Sequence, residues 1–410
     1  MLSFLSKSFF IVASFSILRF FVGIYFASFI FPSDYAVILV PLLLFTFIDI
    51  YIEGGYLVSI IKLGIKEEEE KIIRRVQFKN FLMAAPILLI LFFFYDLYHS
   101  DKLLPFLVVV NYCLISYLKI YTYTKEGLLV AKGRYIFVET IGFLTSFLTY
   151  LLIFYLIFNS SLAGYYLLCL LHSVYALVYA VFIHLYSQKL YFEKGNTFSE
   201  ISEFARTNRN VALVFAMNDR IDELSASNVL GLNQLGLFAK FKEMALGFGV
   251  LTSKVITKPW FYVACNSTLQ YTKKIYLYAL SGFIISFACL YPVCIYFINL
   301  LIGLMGENWT TLLNYDDEIL IFLFFYFLSE FAKSTLLAKG GEDFLFSLEK
   351  IFFIFRITTY SILIISSYFG FFKIILETFI IIELLCRAVF LISENIKLIL
   401  IFNKVSLINK

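Results

Sequence analysis

The sequence predicts an all-α, polytopic membrane protein with twelve transmembrane helices in two six-helix bundles. The first observation is composition: of 410 residues, 61% are hydrophobic and 15% are charged, with a mean hydropathy of +0.88. Soluble domains carry about 25% charged residues, so a soluble enzyme and a disordered chain are both excluded. The second observation is that the apolar segments are continuous, whereas a membrane β-barrel has short alternating segments.

Twelve apolar segments follow one another along the chain. Each is long enough to cross a bilayer as a helix, which satisfies its own backbone hydrogen bonds in lipid. The first segment follows Lys7 and lacks a small-residue cleavage site, so we expect it to be retained as a span. In chain order, the predicted spans cover residues 9–31, 36–61, 80–98, 103–130, 136–158, 162–187, 210–232, 236–257, 275–304, 317–338, 351–371 and 374–402.

The basic residues between the spans predict the orientation. If the N-terminus is inside, the inside loops hold nearly all of the basic loop residues, and the outside loops hold only Lys102 and Lys373. Lys and Arg concentrate on the cytoplasmic side of membrane proteins. Because one missed span would invert every later loop, the asymmetry favours twelve spans with both termini inside.

The longest predicted inside segment lies near the midpoint of the chain, at about residues 188–209, and contains a Gly-Asn-Thr sequence. It predicts a cytoplasmic linker at 191–209. The linker would join an N-terminal six-helix bundle (1–190) to a C-terminal six-helix bundle (210–410).

Two similar motifs, half a chain apart, indicate an internal duplication. LLVAKGR (Leu128–Arg134) ends the fourth predicted span, and LLAKGGE (Leu336–Glu342) ends the tenth. Many transporters are built from such repeats, which would be parallel here because both halves begin inside. The alternative explanation is that Lys and Gly simply terminate helices at the inner interface.

Ionisable residues within the spans are costly in lipid and mark candidate sites. As a set they favour one hydrated cavity, although single pairs such as Arg387 with Glu383 are equally consistent with a structural role. Cations in a cavity suit a phosphate-bearing substrate. The predicted substrate-contacting cations are Arg19, Lys119, Arg220, Lys242, Lys333 and Arg356, and the predicted coupling or charge-balancing carboxylates are Asp49, Glu53, Asp219, Asp222, Glu223 and Glu330.

Motifs for catalysis or for tightly bound groups are absent from the sequence. It has no phosphate-binding Gly-rich loop and no catalytic motif of the common hydrolases, so an enzyme is not expected. Its six cysteines form no C-x-x-C pair and its three histidines are isolated, so no metal site is expected. We predict no cofactor, with coupling to a proton or a sodium ion left open.

Several local motifs resemble the polysaccharide flippases of the Wzx type, in the superfamily that also contains multidrug and toxin extrusion (MATE) transporters and lipid II flippases. The most specific is the turn Leu304–Trp309, which is similar to the family's Gly-Glu-x-Trp turn. Lys258-Pro259-Trp260 departs from the family pattern, which puts a coupling role for that region in doubt. The other similar segments are Pro32–Ala36, Glu53–Leu57, Gly127–Arg134, Asn218–Asp222 and Leu235–Ala239.

The resemblance implies a V-shaped, MATE-like fold that moves undecaprenyl-pyrophosphate-linked oligosaccharide, such as an O-antigen unit, across the bacterial inner membrane. It implies that Arg19 and Arg220 bind the pyrophosphate and that Asp219 and Asp222 bind a coupling ion or balance the charge. The expected partners are this lipid-linked substrate, membrane lipids and other polysaccharide-assembly proteins, without nucleic acid, around a monomeric transporter.

Two alternatives stay open. One is a small-molecule or ion antiporter with the same fold. The other is an O-antigen polymerase, for which we would expect a long outside loop that this sequence lacks.

Overall fold

The computed structural model describes residues 14, 17–18, 20–99, 104–159, 164–187, 196–252, 260–261, 263–264, 267–369 and 376–408. These residues are almost entirely α-helical, which confirms the predicted fold class. A 3₁₀ segment, Glu307–Tyr315, connects two of the helices. The helices are α1 (Pro32–Glu53), α2 (Tyr56–Leu63), α3 (Glu67–His99), α4 (Leu104–Ala131), α5 (Tyr135–Asn159), α6 (Gly164–Tyr186), α7 (Phe198–Ala226), α8 (Leu232–Thr252), α9 (Leu269–Leu304), α10 (Asp316–Ala338), α11 (Glu342–Tyr368) and α12 (Leu376–Ile408).

Within the described part of the chain, six helical segments are long and apolar enough to cross a membrane. The protein is therefore a multi-pass membrane protein, while the count of twelve spans stays a prediction. These six segments are Pro32–Glu53, Ile136–Ile157, Cys169–Tyr186, Leu269–Leu304, Glu307–Ala338 and Asp343–Tyr368.

The predicted second span, 36–61, is wrong as a continuous helix because the chain breaks between α1 and α2. Gly54 and Gly55 have φ angles of 70° and 77°, in the left-handed region that glycine adopts without a Cβ clash. The carboxylate of Glu53 accepts hydrogen bonds from the backbone N–H of Gly55 (2.7 Å) and of Leu57, so it caps the start of α2. A Cβ on Gly55 would lie 2.1 Å from the carbonyl oxygen of Ala205 in α7, so only glycine fits there.

The predicted linker 191–209 is helical from Phe198 onward, because α7 begins there and runs through the predicted start of the seventh span, while the linker and bundle boundaries stay a prediction. A capping box explains the early start. Glu200 Oε2 accepts the backbone N–H of Thr197 (2.9 Å) and also its side-chain O–H (3.0 Å). These hydrogen bonds, led by the backbone N–H, hold the pKa of Glu200 below its ordinary value of 4.5.

The described chain divides by its contacts into two compact units. The N-unit is Asp34–Arg220, and the C-unit combines the described residues before Asp34 with Ile221–Lys410. Trp309 supplies one reason for this grouping, since its Nε1–H donates to the carbonyls of Ala27 (3.0 Å) and Ile30 (3.1 Å). By contact, the described residues before Asp34 therefore group with the C-unit.

Each unit has its own apolar core. In the N-unit, α4 packs against α2, α3 and α6, and the core includes Ile60, Leu128 and Ile183. In the C-unit, α10 packs against α8, α9 and α12, with Phe331 stacked on Tyr276. Charged side chains that lie between these helices are therefore held by packed apolar neighbours.

Candidate functional site

The C-unit contains a group of six charged side chains that are all buried, which we name the buried network. Helices α7, α8, α11 and α12 contribute them, so the network joins the beginning and the end of the segment Ile221–Lys410. Three carboxylates face three cations, and the formal charges sum to zero. The members are Asp222, Glu223, Lys242, Arg356, Glu383 and Arg387.

Lys242 on α8 is the cation between the two acids of α7. Its Nζ lies 2.7 Å from Asp222 Oδ2 and 3.3 Å from Glu223 Oε1, and none of its side chain is exposed. An ammonium without water is stable only when such partners replace its hydration. Lys242 therefore fastens α8 to α7.

Glu383 on α12 is the acid between the two guanidinium groups. It forms an ion pair with Arg356 of α11, and Arg387 Nε donates to its Oε1 at 3.2 Å. Tyr360 also donates its O–H to Glu383 at 3.2 Å. The guanidinium of Arg356 lies 3.9 Å from Asp222, which connects the two halves of the network.

The pairing of Arg387 with Glu383, one of the structural alternatives raised by the sequence, is confirmed. The substrate-contacting role of Lys242 and Arg356 stays a prediction. Their burial and their pairing with carboxylates favour a role in fastening helices, because neither presents an uncompensated charge.

A second group in the C-unit, the Lys333 cluster, lies where α10, α11 and α12 meet. Lys333 Nζ is 3.1 Å from Glu349 and 3.6 Å from Glu330. On α12, Glu394 is completely buried and accepts a hydrogen bond from Ser329 at 2.7 Å. The cluster thus holds three carboxylates and one ammonium, so its charges do not balance.

The N-unit holds a smaller site at the middle of α4. Lys119 forms an ion pair with Asp49 of α1, and Ser116 donates to the same carboxylate at 2.6 Å. The side chain of Lys119 is 38% exposed, whereas that of Lys242 is fully buried. An ammonium with this exposure can contact a ligand without first breaking out of a packed core.

The remaining predicted residues have different positions. Glu53 is used by the backbone at the break between α1 and α2. Asp219 is exposed and Arg220 is half-buried, both near the C-terminal end of α7. Arg19 lies outside the described residues. The single cavity predicted for all of these charges stays a prediction, and within the C-unit they fall into two groups.

Sequence reasoning missed Glu349 and Glu394 as members of a site. Glu349 lies just before the predicted eleventh span (351–371). In the structure it lies within α11, which begins at Glu342, seven residues before Glu349. Glu394 had a readable signal: Glu383, Arg387 and Glu394 are spaced by four and seven residues, which places them on one face of a helix.

A hydrogen-bonded group of uncharged polar residues in the N-unit was also missed. Tyr112 and His172 form a 2.9 Å hydrogen bond between α4 and α6. This hydrogen bond gives His172, one of the three histidines that are isolated in the sequence, a polar partner on a neighbouring helix. No sequence spacing connects these residues, because they are sixty positions apart.

Comparison with known proteins shows the fold. No protein-family description matches the chain, and no curated protein sequence matches it. An inward-facing multidrug resistance MATE transporter of the MOP superfamily aligns with a TM-score of 0.65 and 13% identity, covering 94% of this chain and 95% of that one. The inward closed form of the lipid II flippase MurJ aligns with a TM-score of 0.60 and 14% identity, covering 98% and 90%.

A eukaryotic MATE transporter, AtDTX14, aligns with a TM-score of 0.57 and 11% identity, covering 95% of each chain. These proteins share so little sequence with this chain that the likeness establishes a common fold and not a common substrate. The chain therefore has the fold of MATE transporters and of MurJ over nearly its full length.

Proposed function

We propose that this protein is a flippase, not an enzyme, that moves undecaprenyl-pyrophosphate-linked oligosaccharide across the bacterial inner membrane by alternating access. The observation that carries the proposal is the accessible cation in the N-unit, at the middle of a helix that the sequence predicts to span the membrane. Lys119 lies at the middle of α4 and is partly exposed beside Asp49. A charge at this depth is costly unless it serves a site, and an ammonium suits a pyrophosphate.

The proposal divides the predicted cations into two sets. Lys119 and Arg220 are assigned to the pyrophosphate because neither belongs to the buried network, and Arg19 is assigned with them on the family resemblance. Lys242 and Arg356 are assigned to holding the C-unit together. Asp49 then keeps Lys119 oriented when no substrate is bound, and the substrate competes with it for the ammonium.

The test is a flipping assay with the purified protein in lipid vesicles. A fluorescent polyprenyl-pyrophosphate oligosaccharide is added, and a membrane-impermeant quencher reports how much reaches the inner leaflet. We expect Lys119→Gln to reduce the flipping rate at least tenfold. Lys71→Gln is the matched control, because Lys71 is also paired with an acid (Glu67, 3.7 Å) but lies on an inside segment with 68% of its side chain exposed.

An unchanged rate in Lys119→Gln, with the protein still folded, would remove Lys119 from the site. Arg19→Ala in the cell should abolish surface polysaccharide while the protein stays in the membrane. Accumulation of lipid-linked repeat units on the inner leaflet would separate a flippase from a polymerase, whose loss leaves single units displayed outside.

A small-molecule or ion antiporter is the second candidate, because the chain shares its fold with multidrug resistance MATE transporters as well as with MurJ. The same vesicles discriminate between the two. An antiporter would move a cationic dye against an ion gradient, and its transport would be insensitive to added lipid-linked oligosaccharide. A flippase would move the lipid-linked oligosaccharide and would not move the cationic dye against the ion gradient.

The sequence-based expectations for location and partners are part of the proposed function. The protein would lie in the inner membrane with both termini in the cytoplasm, act as a monomer, and receive its substrate from the enzymes that assemble polysaccharide repeat units. Reaction of engineered surface cysteines with an impermeant thiol reagent tests the orientation of the termini.

A further inference from the structure

The Lys333 cluster has more acid than base, unlike the buried network. Lys333 forms ion pairs with Glu330 and Glu349, and Glu394 is the third carboxylate of the cluster, so full ionisation of these groups would give a charge of −2. Glu349 and Glu394 are buried, whereas the side chain of Glu330 is 28% exposed, so the excess of acid falls on the two buried carboxylates. A buried excess of acid is expensive, and a proton on one of these acids would remove it.

Glu394 is the member whose surroundings show where that charge is missing. Its Oε2 accepts the hydroxyl of Ser329 at 2.7 Å, but its Oε1 is buried and has no hydrogen-bond partner among the residues that the structure describes. A buried carboxylate oxygen without a donor carries its full cost of desolvation. A proton on Oε1 removes both the charge and this cost.

The groups around Glu394 come from every helix packed on that part of α12. Helix α10 supplies Lys333 and Glu330, and α11 supplies Glu349. Helix α9 supplies Tyr276, whose O–H donates at 2.7 Å to the neighbouring Asn395. On α12 itself, Lys397 lies over the ring of Phe344, 4.8 Å from its centroid. Helix α8 contacts α12 nearer the buried network.

The cluster lies at a similar distance from the helix end on α10 and on α11. Glu330 is about 12 Å from the end of α10 and Glu349 is about 10 Å from the start of α11, at a rise of 1.5 Å per residue. Both of these helix ends are predicted to face the cytoplasm. The cluster therefore lies toward the predicted cytoplasmic ends of α10 and α11, the side from which a proton would reach it.

We propose that the Lys333 cluster is a proton-binding site in which Glu394 carries an exchangeable proton. Binding transfers one proton from hydronium to Oε1 of the carboxylate, which forms the carboxylic acid and leaves water, and release transfers the proton back to water on the inside. A proton fits better than a metal cation, because the ammonium of Lys333 already lies 3.1 Å from Glu349 and would repel a second cation.

Proton binding would change the charge between α10, α11 and α12, which gives a means of coupling a proton gradient to the movement of these helices. That coupling rests on the proposed function. Proton binding itself does not, so the two are tested separately.

The first experiment is infrared difference spectroscopy of the full-length protein in lipid vesicles between neutral and alkaline pH. We expect a carboxylic-acid C=O band at neutral pH that Glu394→Gln removes. The matched control is Glu307→Gln, which alters an exposed acid on the 3₁₀ segment and should leave the band in place. A band that survives in Glu394→Gln, or that depends on sodium ions, would overturn the proposal.

Ser329→Ala provides a second readout if Glu394→Gln does not fold. This variant keeps the carboxyl group but loses the hydroxyl donor to its Oε2, so the band should shift in frequency and not vanish. An unshifted band would contradict the assignment to Glu394.

The second experiment is the flipping assay with a proton gradient across the vesicle membrane. We expect Glu394→Gln to make the flipping rate independent of the gradient, whereas Lys119→Gln lowers the rate with or without it. If no flipping occurs even in the unmodified protein, the proposed function fails while the infrared result still stands.

Discussion

The buried network of the C-unit and the Asp49–Lys119 pair of the N-unit are made from the same kinds of residues but are built differently. Lys242 has no exposure and contacts two acids, whereas Lys119 is 38% exposed and pairs with one. Charges that are fully buried and balanced hold helices together. Charges that are partly exposed keep the freedom to meet a ligand. Intramembrane charge alone therefore does not identify a transport site, and exposure is needed to separate the two uses.

The largest expected effect comes from unbalancing the buried network. Glu383→Gln leaves two guanidinium groups without their shared acid, so the cations outnumber the acids by one. Breaking a buried pair costs about 3–5 kcal/mol of folding free energy. We expect a strongly lowered thermal unfolding temperature for the purified protein and a reduced amount in the membrane.

The matched variant is the double substitution Glu383→Gln with Arg356→Met, which restores equal numbers of cations and acids. It should recover part of the lost stability. If the double variant is less stable than Glu383→Gln alone, charge balance is not what makes the network stable.

The next largest effect is expected at the break between α1 and α2, where a pair of glycine substitutions tests whether close backbone packing contributes to the stability of the N-unit. Gly55 and Gly133 have nearly equal φ angles, 77° and 76°, but a Cβ at Gly133 would meet nothing within 4 Å. Gly133→Ala should cost about 1–2 kcal/mol, the cost of a left-handed residue with a Cβ. Gly55→Ala should cost clearly more because its Cβ would meet the backbone of Ala205. Equal unfolding temperatures for the two variants would contradict this contact.

A smaller effect is expected from the exposed pair itself. Because Lys119 is more than a third exposed, water screens its attraction to Asp49, and such pairs contribute about 0–1 kcal/mol. A double-mutant cycle with Asp49→Asn and Lys119→Met should give a coupling energy in this range. A coupling as large as that of Glu383 with Arg356 would remove the distinction between the two sites.

The smallest effect concerns the capping box of α7. The pKa of Glu200 is lowered in the folded protein, so its contribution to stability is present above the unfolded value near 4.5 and is lost as the pH falls through the lower folded value. Hydrogen exchange at the first turn of α7 should therefore accelerate in acid. Glu200→Gln should exchange at a rate that is independent of pH in this window, once the intrinsic pH dependence is subtracted.

The helices were largely predictable from sequence. A continuous apolar segment marks a stretch that lies in lipid, where the backbone N–H and C=O groups must hydrogen-bond to one another within a helix. The predicted ends of α4, α5 and α10 agree with the structure to within one residue. The break at Gly54-Gly55 and the start of α7 were missed, although two glycines after an acid and Thr-x-x-Glu are both readable signals.

The candidate site was predictable only in part. Residue type and position within a span identified Lys119, Lys242 and Lys333 as unusual, since each is an ion in lipid. Their partners lie on other helices, so the distinction between a paired and an accessible cation required packing. The excess of acid around Lys333 could not be predicted from the sequence either, because Glu349 and Glu394 lie on two other helices that pack against α10.

The sequence by itself determined that this protein is helical, spans a membrane several times and carries charges where lipid would exclude them. These properties are set by composition and by local spacing, which act along one helix at a time. The tertiary structure decided which charges neutralise one another and which are accessible. It also decided that one buried acid, Glu394, has an unpartnered oxygen, because these outcomes depend on distances between helices far apart in the chain.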